Sequence, residues 1–99
     1  MKGELGQSLP NLTSRPPGEV SRWLATELSR FESPNVTYLG EGFPIFWSEA
    51  RGSNVRDVDG NVYIDLTAAF GVAAAGHAHP EIVAAVRDQA TRLLHGMGD

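Results

Sequence analysis

Three groupings of side chains in this sequence have the types and spacing from which chemistry is made. His77 and His79 stand two residues apart, with His95 further on. On a strand the first two would share a face and offer two metal ligands. Gly71 and Gly76 carry the G-x4-G spacing of a phosphate-binding loop. Asp57, Asp59 and Asn61 alternate like the opening of a calcium loop. Each grouping stops short. The histidines fall at a loop-to-helix junction with no evident third ligand, where packing, hydrogen bonding and capping by His79 are the ordinary uses of the residue. A phosphate loop continues with Lys, which reaches the outer phosphates, and a hydroxyl that holds Mg2+; here His77 and Ala78 follow. A calcium loop counted from Asp57 needs Gly at its sixth position and Glu at its twelfth, where this chain has Val62 and Ala68. Turn chemistry accounts better for Asp57, Asp59 and Asn61, and no metal site is expected.

Nucleophiles and acid–base pairs are no better supplied. The chain has no cysteine, which excludes a disulfide scaffold, a zinc finger and a thiol nucleophile. Ser33, Ser48 and Ser53 lack the context of a nucleophile elbow. Glu41, Glu49, Asp57 and Asp65 are candidate acids and bases, but nothing in the sequence brings two of them into one cleft. Phe70 is different. It is the one large aromatic in the small-residue stretch TAAFGVAAAGHA, residues 67–78. It either packs in a core or forms a wall for a bound ligand. Of the eight basic residues seven are arginine, and the only lysine is Lys2.

These residues need elements to position them. A length of 99 residues allows one domain or a piece of one. With 41% hydrophobic and 20% charged residues the composition is that of a globular chain rather than a disordered one. The net charge of −4 gives no basic footprint for nucleic acid and would be repelled by an anionic membrane surface. No apolar run reaches the roughly 18 residues of a membrane helix. Residues 1–20 lack the apolar core of a signal peptide. The absence of cysteine suits a reducing compartment, and a cytoplasmic location is expected.

Residues 1–18 are rich in Gly and Pro and read as a flexible arm, extended or disordered until it meets a surface. Val20, Leu24, Leu28 and Phe31, with Trp23 alongside, predict a helix over 19–32 that Ser33-Pro34 stops. Ile45-Phe46-Trp47 reads as a short strand. Val55–Val58 and Val62–Leu66 flank Asp59-Gly60-Asn61, which predicts a hairpin centred on Gly60. In its second arm Val62, Ile64 and Leu66 share one face. Pro80 and Glu81 open a helix over 80–94 with an apolar stripe of Ile82, Val86, Ala90 and Leu93, capped by His95-Gly96. The fold class is α+β: helix, antiparallel meander, helix. Both helical stripes need a cover that one small hairpin does not supply.

From Phe43 to Leu94 the sequence resembles the N-terminal part of class III aminotransferases, the pyridoxal-phosphate enzymes that include 4-aminobutyrate, ornithine and acetylornithine aminotransferases. The residues that carry the resemblance are Pro44-Ile45-Phe46, Val58-Asp59-Gly60-Asn61-Val62-Tyr63-Ile64-Asp65-Leu66, Phe70-Gly71, Gly76-His77-Ala78-His79-Pro80 and Ile82-Val83-Ala84-Ala85-Val86. The order D-G-N-x-Y-I-D, a small-residue loop, then G-H-x-H-P before a helix is specific. Residues 19–43 fit more loosely.

The resemblance implies the small N-terminal subdomain of an α/β fold-type I transferase, dimeric, moving an amino group between an amine or amino acid and a 2-oxo acid. It divides the chain into an arm (1–18), a leading helix (19–34), a linker and β-meander (35–66), and an active-site-mouth loop with its helix (67–99). Phe70 and Gly71 are the substrate-binding residues it implies. Phe70 would contact substrate and Gly71 would keep the backbone close. The G-H-x-H-P turn would lie near the subunit interface. In the family an internal lysine forms a Schiff base with pyridoxal 5'-phosphate. That lysine, the acidic partner of the cofactor ring and the phosphate cradle come after the segment seen here, and Lys2 cannot stand in. No catalytic or cofactor-binding residue is therefore expected within these 99 residues, and the chain alone is expected to be inactive. The other reading is a non-catalytic docking module that binds a partner subunit through its two amphipathic helices.

Overall fold

A computed structural model of the chain describes residues 3–33 and 44–96. Lys2, Pro34, Glu41 and Phe43, and the far end of the region beyond Gly96, lie outside the described residues. The elements run α1 (Glu19–Phe31), β1 (Trp47–Arg51), β2 (Asn54–Asp57), β3 (Val62–Ile64) and α2 (Pro80–Ala90). This is an α+β arrangement, with two helices and one antiparallel sheet in the order β1-β2-β3.

The hairpin around Gly60 forms because the loop chemistry dictates it. Gly60 has φ +86°. Its amide donates to the Asp57 carbonyl at 3.1 Å, and the Asp57 amide donates to the Asn61 carbonyl at 3.0 Å. Val58 and Asp59 keep negative φ among the described residues, so this is a type I turn closed by a glycine bulge. The Asp57 carboxylate locks the turn from inside, accepting from the amides of Asp59 (3.0 Å) and Asn61 (2.8 Å).

A second hairpin joins β1 to β2 through Gly52-Ser53, with Arg51 opposite Asn54. Gly52 takes φ +58°, which the first position of a tight primed turn requires. Ser48 is the extra residue of a bulge between Trp47 and Glu49, and its hydroxyl is shared between the carbonyls of Arg56 (3.0 Å) and Asp57 (3.1 Å). The strand expected at 45–47 begins instead at Trp47 and runs on to Arg51. Only the carbonyl of Phe46 joins the sheet ahead of it, accepting from Val58 at 2.9 Å.

The segment ahead of α1 lies along the sheet. Asn11 and Val62 exchange both backbone hydrogen bonds, at 2.9 and 2.7 Å. Two buried asparagines clasp it. Asn54 accepts from the amides of Gly6 (2.8 Å) and Ser8 (2.9 Å) and donates back to the Ser8 carbonyl (3.0 Å). Asn61 accepts from the amides of Thr13 (2.7 Å) and Ser14 (2.9 Å). Each amide side chain imitates a missing strand partner, which satisfies backbone groups in a stretch too rich in Gly and Pro to pair regularly.

The α1 helix spans Glu19–Phe31, one residue short of the expected end. Its first-turn amides are capped from a distance. The Asp59 carboxylate accepts from Val20 at 2.7 Å and from Ser21 at 2.9 Å. The N-cap residue is Gly18, which supplies no side chain. The α2 helix starts at Pro80 as expected but ends at Ala90, not at 94. The Thr91 hydroxyl takes the Asp88 carbonyl at 2.7 Å, and the Thr91 amide is split between the Asp88 and Gln89 carbonyls. This tightens the last turn, so Leu93 and Leu94 fall beyond the helix and His95-Gly96 is not its cap.

The interior is small and polar. Among the described residues its buried hydrophobic side chains are Val55 (1% exposed) and Val62 (7%), with Pro44 also buried, beside Ser21, Asn54, Asp57 and Asn61. Leu66, expected on the same face as Val62, lies past the end of β3 and is exposed. The α2 stripe is uncovered too, with Ile82 and Val86 exposed. The chain exposes 7852 Å², whereas a compact monomer of this mass exposes about 5,500 Å². Its radius of gyration is 16.1 Å, against about 13 Å for a compact domain of this length. The isolated chain should therefore unfold over a broad range, or aggregate through its apolar faces. Scanning calorimetry checks this: a sharp two-state transition of a monomer would contradict it.

Candidate functional site

The small-residue stretch folds into a left-handed turn. Ala68, Ala69 and Phe70 have φ of 50°, 49° and 57°, and Gly71 follows at 87°. The Gly71 amide donates to the Thr67 carbonyl (3.2 Å) and the Ala73 amide to the Ala68 carbonyl (2.9 Å). Left-handed backbone costs roughly 1–2 kcal/mol for each residue with a Cβ, so three in a row store several kcal/mol. Such strain persists only where neighbours over-determine it, and it gathers at functional positions. Phe70 stands at the crest, 99% exposed, so it is not core in this chain. Nothing lies within 4 Å of where a Cβ on Gly71 would be.

Asp65 is the group that over-determines the turn. Its Oδ1 accepts from the amide (2.8 Å) and hydroxyl (2.9 Å) of Thr67, and its Oδ2 from the Ala69 amide (3.1 Å). The same Oδ2 meets His77 Nε2 at 2.7 Å. The hydrogen bond from His77, then those from Thr67, hold the Asp65 carboxyl down to about 2. An ionised carboxylate only accepts, so the proton between the two belongs to His77 Nε2. The histidine is itself fixed. Its backbone exchanges two 2.8 Å hydrogen bonds with Gly52, and its ring meets Trp47 edge-on at 5.8 Å and 87°. Gly76 takes φ +91°, a left-handed conformation that favours glycine, just ahead of this exchange.

A carboxylate depressed below 3.8 contributes stability that is full above that value and is lost as pH falls through about 2. An NMR titration of the Asp65 carboxyl carbon should give a midpoint near 2 rather than 3.8. A midpoint at the ordinary value would show that the contact with His77 does not form.

The remaining candidates are placed apart. Glu49 pairs with Arg56 at the surface. Asp57 is buried in the hairpin, where the Tyr63 hydroxyl donates to it at 2.7 Å. Burial, and then that hydrogen bond, push the Tyr63 phenol up to about 12. His79 makes no side-chain cap at α2, although its carbonyl accepts from Val83 at 2.9 Å. Among the described residues no three His, Asp or Glu gather as a metal site. The amides of Gly71 and Gly76 point at the chain's own carbonyls, so they form no anion cradle. No lysine occurs among the described residues. The described residues thus offer no side-chain amine for a Schiff base with pyridoxal phosphate. A shallow groove of about 300 Å³ runs between the turn and α2, lined by Val72, Ala75, His77, His79, Ile82 and Val86 among others.

The sequence offers Asp65 as an acid or base and His77 as a metal ligand, each by itself, and does not reveal the pair. The one local signal was Asp65 two residues ahead of Thr67, the spacing at which an Asp side chain caps its own turn. No helix among the described residues is long and apolar enough to cross a membrane.

The motif residues thus have defined work. In Asp59-Gly60-Asn61-Val62-Tyr63-Ile64-Asp65 the glycine closes the turn, and Asp59 caps α1. Asn61 clasps the leading segment, Tyr63 meets Asp57, and Asp65 holds the turn at Phe70. This stretch lies within the part of the chain that resembles a known family. The family model described as aminotransferase class-III matches residues 38–98. A glutamate-1-semialdehyde 2,1-aminomutase of Thermoplasma acidophilum is 49% identical over 55 residues, which is 54% of this chain and 13% of that protein. The chain therefore spans only a small part of the length of this relative. With the family model covering more than half of its residues, the chain belongs to the class III aminotransferase family.

Proposed function

We propose that this chain is the N-terminal part of a fold-type I, pyridoxal-phosphate-dependent enzyme that moves an amino group. Its membership of the class III family carries the reading. Transfer between an amine or amino acid and a 2-oxo acid is the general reaction. The aminomutase relative supports an amino shift within one small amino-aldehyde acid as the special form. In this reading residues 1–18 are an arm, 19–34 the leading helix, 35–66 the meander of the small subdomain, and 67–99 the loop and helix at the active-site mouth. Phe70 forms a wall of the substrate site and Gly71 gives the backbone room to follow. The strained, outward turn supports this, because an aromatic side chain is held into open space rather than against a core. Pyridoxal phosphate is bound by residues that this chain does not supply, and the chain alone is inactive. A second copy covers the α2 face in a homodimer. The uncovered stripes of α2 also support the alternative, a non-catalytic docking module.

One assay separates the two. The full-length protein carrying this segment, loaded with pyridoxal phosphate, should transfer amino groups, and the 99-residue chain should not. Phe70→Ala in the full-length protein should change the ratio of kcat/KM between a bulky and a small amino donor by about tenfold, while cofactor absorbance is retained. Equal losses of donor discrimination and cofactor would place Phe70 in packing. No transfer by the full-length protein would favour the docking module.

A further inference from the structure

We propose that Asp65 and His77 are a positioning pair that fixes the left-handed turn at 68–71 and thereby sets how Phe70 is presented. Three observations converge. The turn holds three consecutive non-glycine residues at φ between 49° and 57°, a conformation that relaxes unless it is held. No apolar core holds it, since Phe70 and Val72 are both exposed. The carboxylate that receives the Thr67 amide and hydroxyl and the Ala69 amide also meets His77, whose backbone is tied to Gly52 at the β1–β2 hairpin. The β1–β2 hairpin ties both feet of the turn by backbone, Asp65 to Ser53 (2.8 Å) and His77 to Gly52, and the His77 ring and Asp65 carboxylate carry that hold to the turn amides. Asp65 and His77 act through Phe70 in this arrangement. The consequence for substrate choice rests on the amino-transfer reading above, but the hold on the turn does not.

The test uses the full-length protein that carries this segment, read by amide hydrogen exchange. The peptide covering 66–76 is the reporter and the peptide covering 54–64 the internal reference. Asp65→Asn and His77→Ala should each speed exchange in the reporter about tenfold or more with the reference unchanged. His77→Gln should restore most of the protection, because its amide nitrogen can take the place of Nε2. Should Asp65→Asn loosen the reference as well, the contrast between His77→Ala and His77→Gln decides. Unchanged reporter exchange in His77→Ala, or no difference between the two His77 variants, overturns the proposal. Donor discrimination is then measured on the same variants with cofactor absorbance as control. A shift like that of Phe70→Ala supports the full chain from pair to substrate. A loosened turn with unaltered discrimination upholds the pair and counts against Phe70 as a substrate wall. If the wild-type protein transfers no amino group, the functional reading falls and the exchange data still decide the pair.

Discussion

Asp57→Ala is expected to speed amide exchange at Val55 and Val62 by two to three orders of magnitude, the equivalent of about 3–4 kcal/mol. Asp57 is 1% exposed and its carboxylate accepts four hydrogen bonds. They come from the amides of Asp59 and Asn61, the Asn61 side chain (2.9 Å) and the Tyr63 hydroxyl (2.7 Å). Removing the acceptor strands these donors where water reaches them poorly, and each buried unmet donor costs about 1–3 kcal/mol. The loss propagates. Asn61 is oriented by Asp57, and Asn61 in turn receives the amides of Thr13 and Ser14, so the leading segment should loosen with the hairpin. Asp57→Asn should lie between, because it keeps one oxygen for the two turn amides and turns an amide nitrogen toward Asn61. Exchange within tenfold of wild type in Asp57→Ala would show that Val55 and Val62 hold the sheet unaided.

Gly18→Ala should uncap α1 although alanine is the better helix former. A Cβ on Gly18 would stand 2.2 Å from Asp59 Cγ and 2.5 Å from Asp59 Cβ. The carboxylate cannot simply swing aside, since its two oxygens are committed to the amides of Val20 and Ser21. The expected loss is about 1–2 kcal/mol, the usual worth of an N-cap, read as lower helicity by circular dichroism. The carboxyl should report the same event. Burial works to raise it, but hydrogen bonds from Ser21 and Val20, with the charge of Arg22, hold it below 3.8. Its contribution is thus full above that value and lost as pH falls through the lower folded one. In Gly18→Ala the Asp59 titration should move back up. In an Asp59→Gly background, which also removes the Cβ that a side chain at 18 would meet, Gly18→Ala should do no further harm, and Gly18→Ser should recover part of the cap from its own hydroxyl. Additive losses in the double variant would show that the glycine and the carboxylate act independently.

Local rules, read from the sequence, determined much of this chain. The 3.6-residue spacing of Val20, Leu24, Leu28 and Phe31 determined α1. Asp59-Gly60-Asn61 determined the hairpin, because only a residue without a Cβ takes φ +86° freely. Pro80 determined the start of α2, and the motif order determined the family. Each of these depends on residues a few positions apart. The end of α2 was decided by Thr91 taking back a carbonyl, a competition that an apolar stripe does not reveal.

The rest was decided by chain segments meeting across long separations. Asp59 reads locally as a turn residue, yet it caps a helix 39 positions away, and Asn61 clasps amides 48 positions away. The turn at Phe70 runs against the local preferences of Ala and Phe, and Asp65, tied to Ser53 by its amide and to His77 by its carboxylate, receives the turn's amides. Short polar side chains have the same propensities whether they serve their own turn or a distant backbone. Which donors lie within 3 Å of them is a property of packing, and only the tertiary structure contains it.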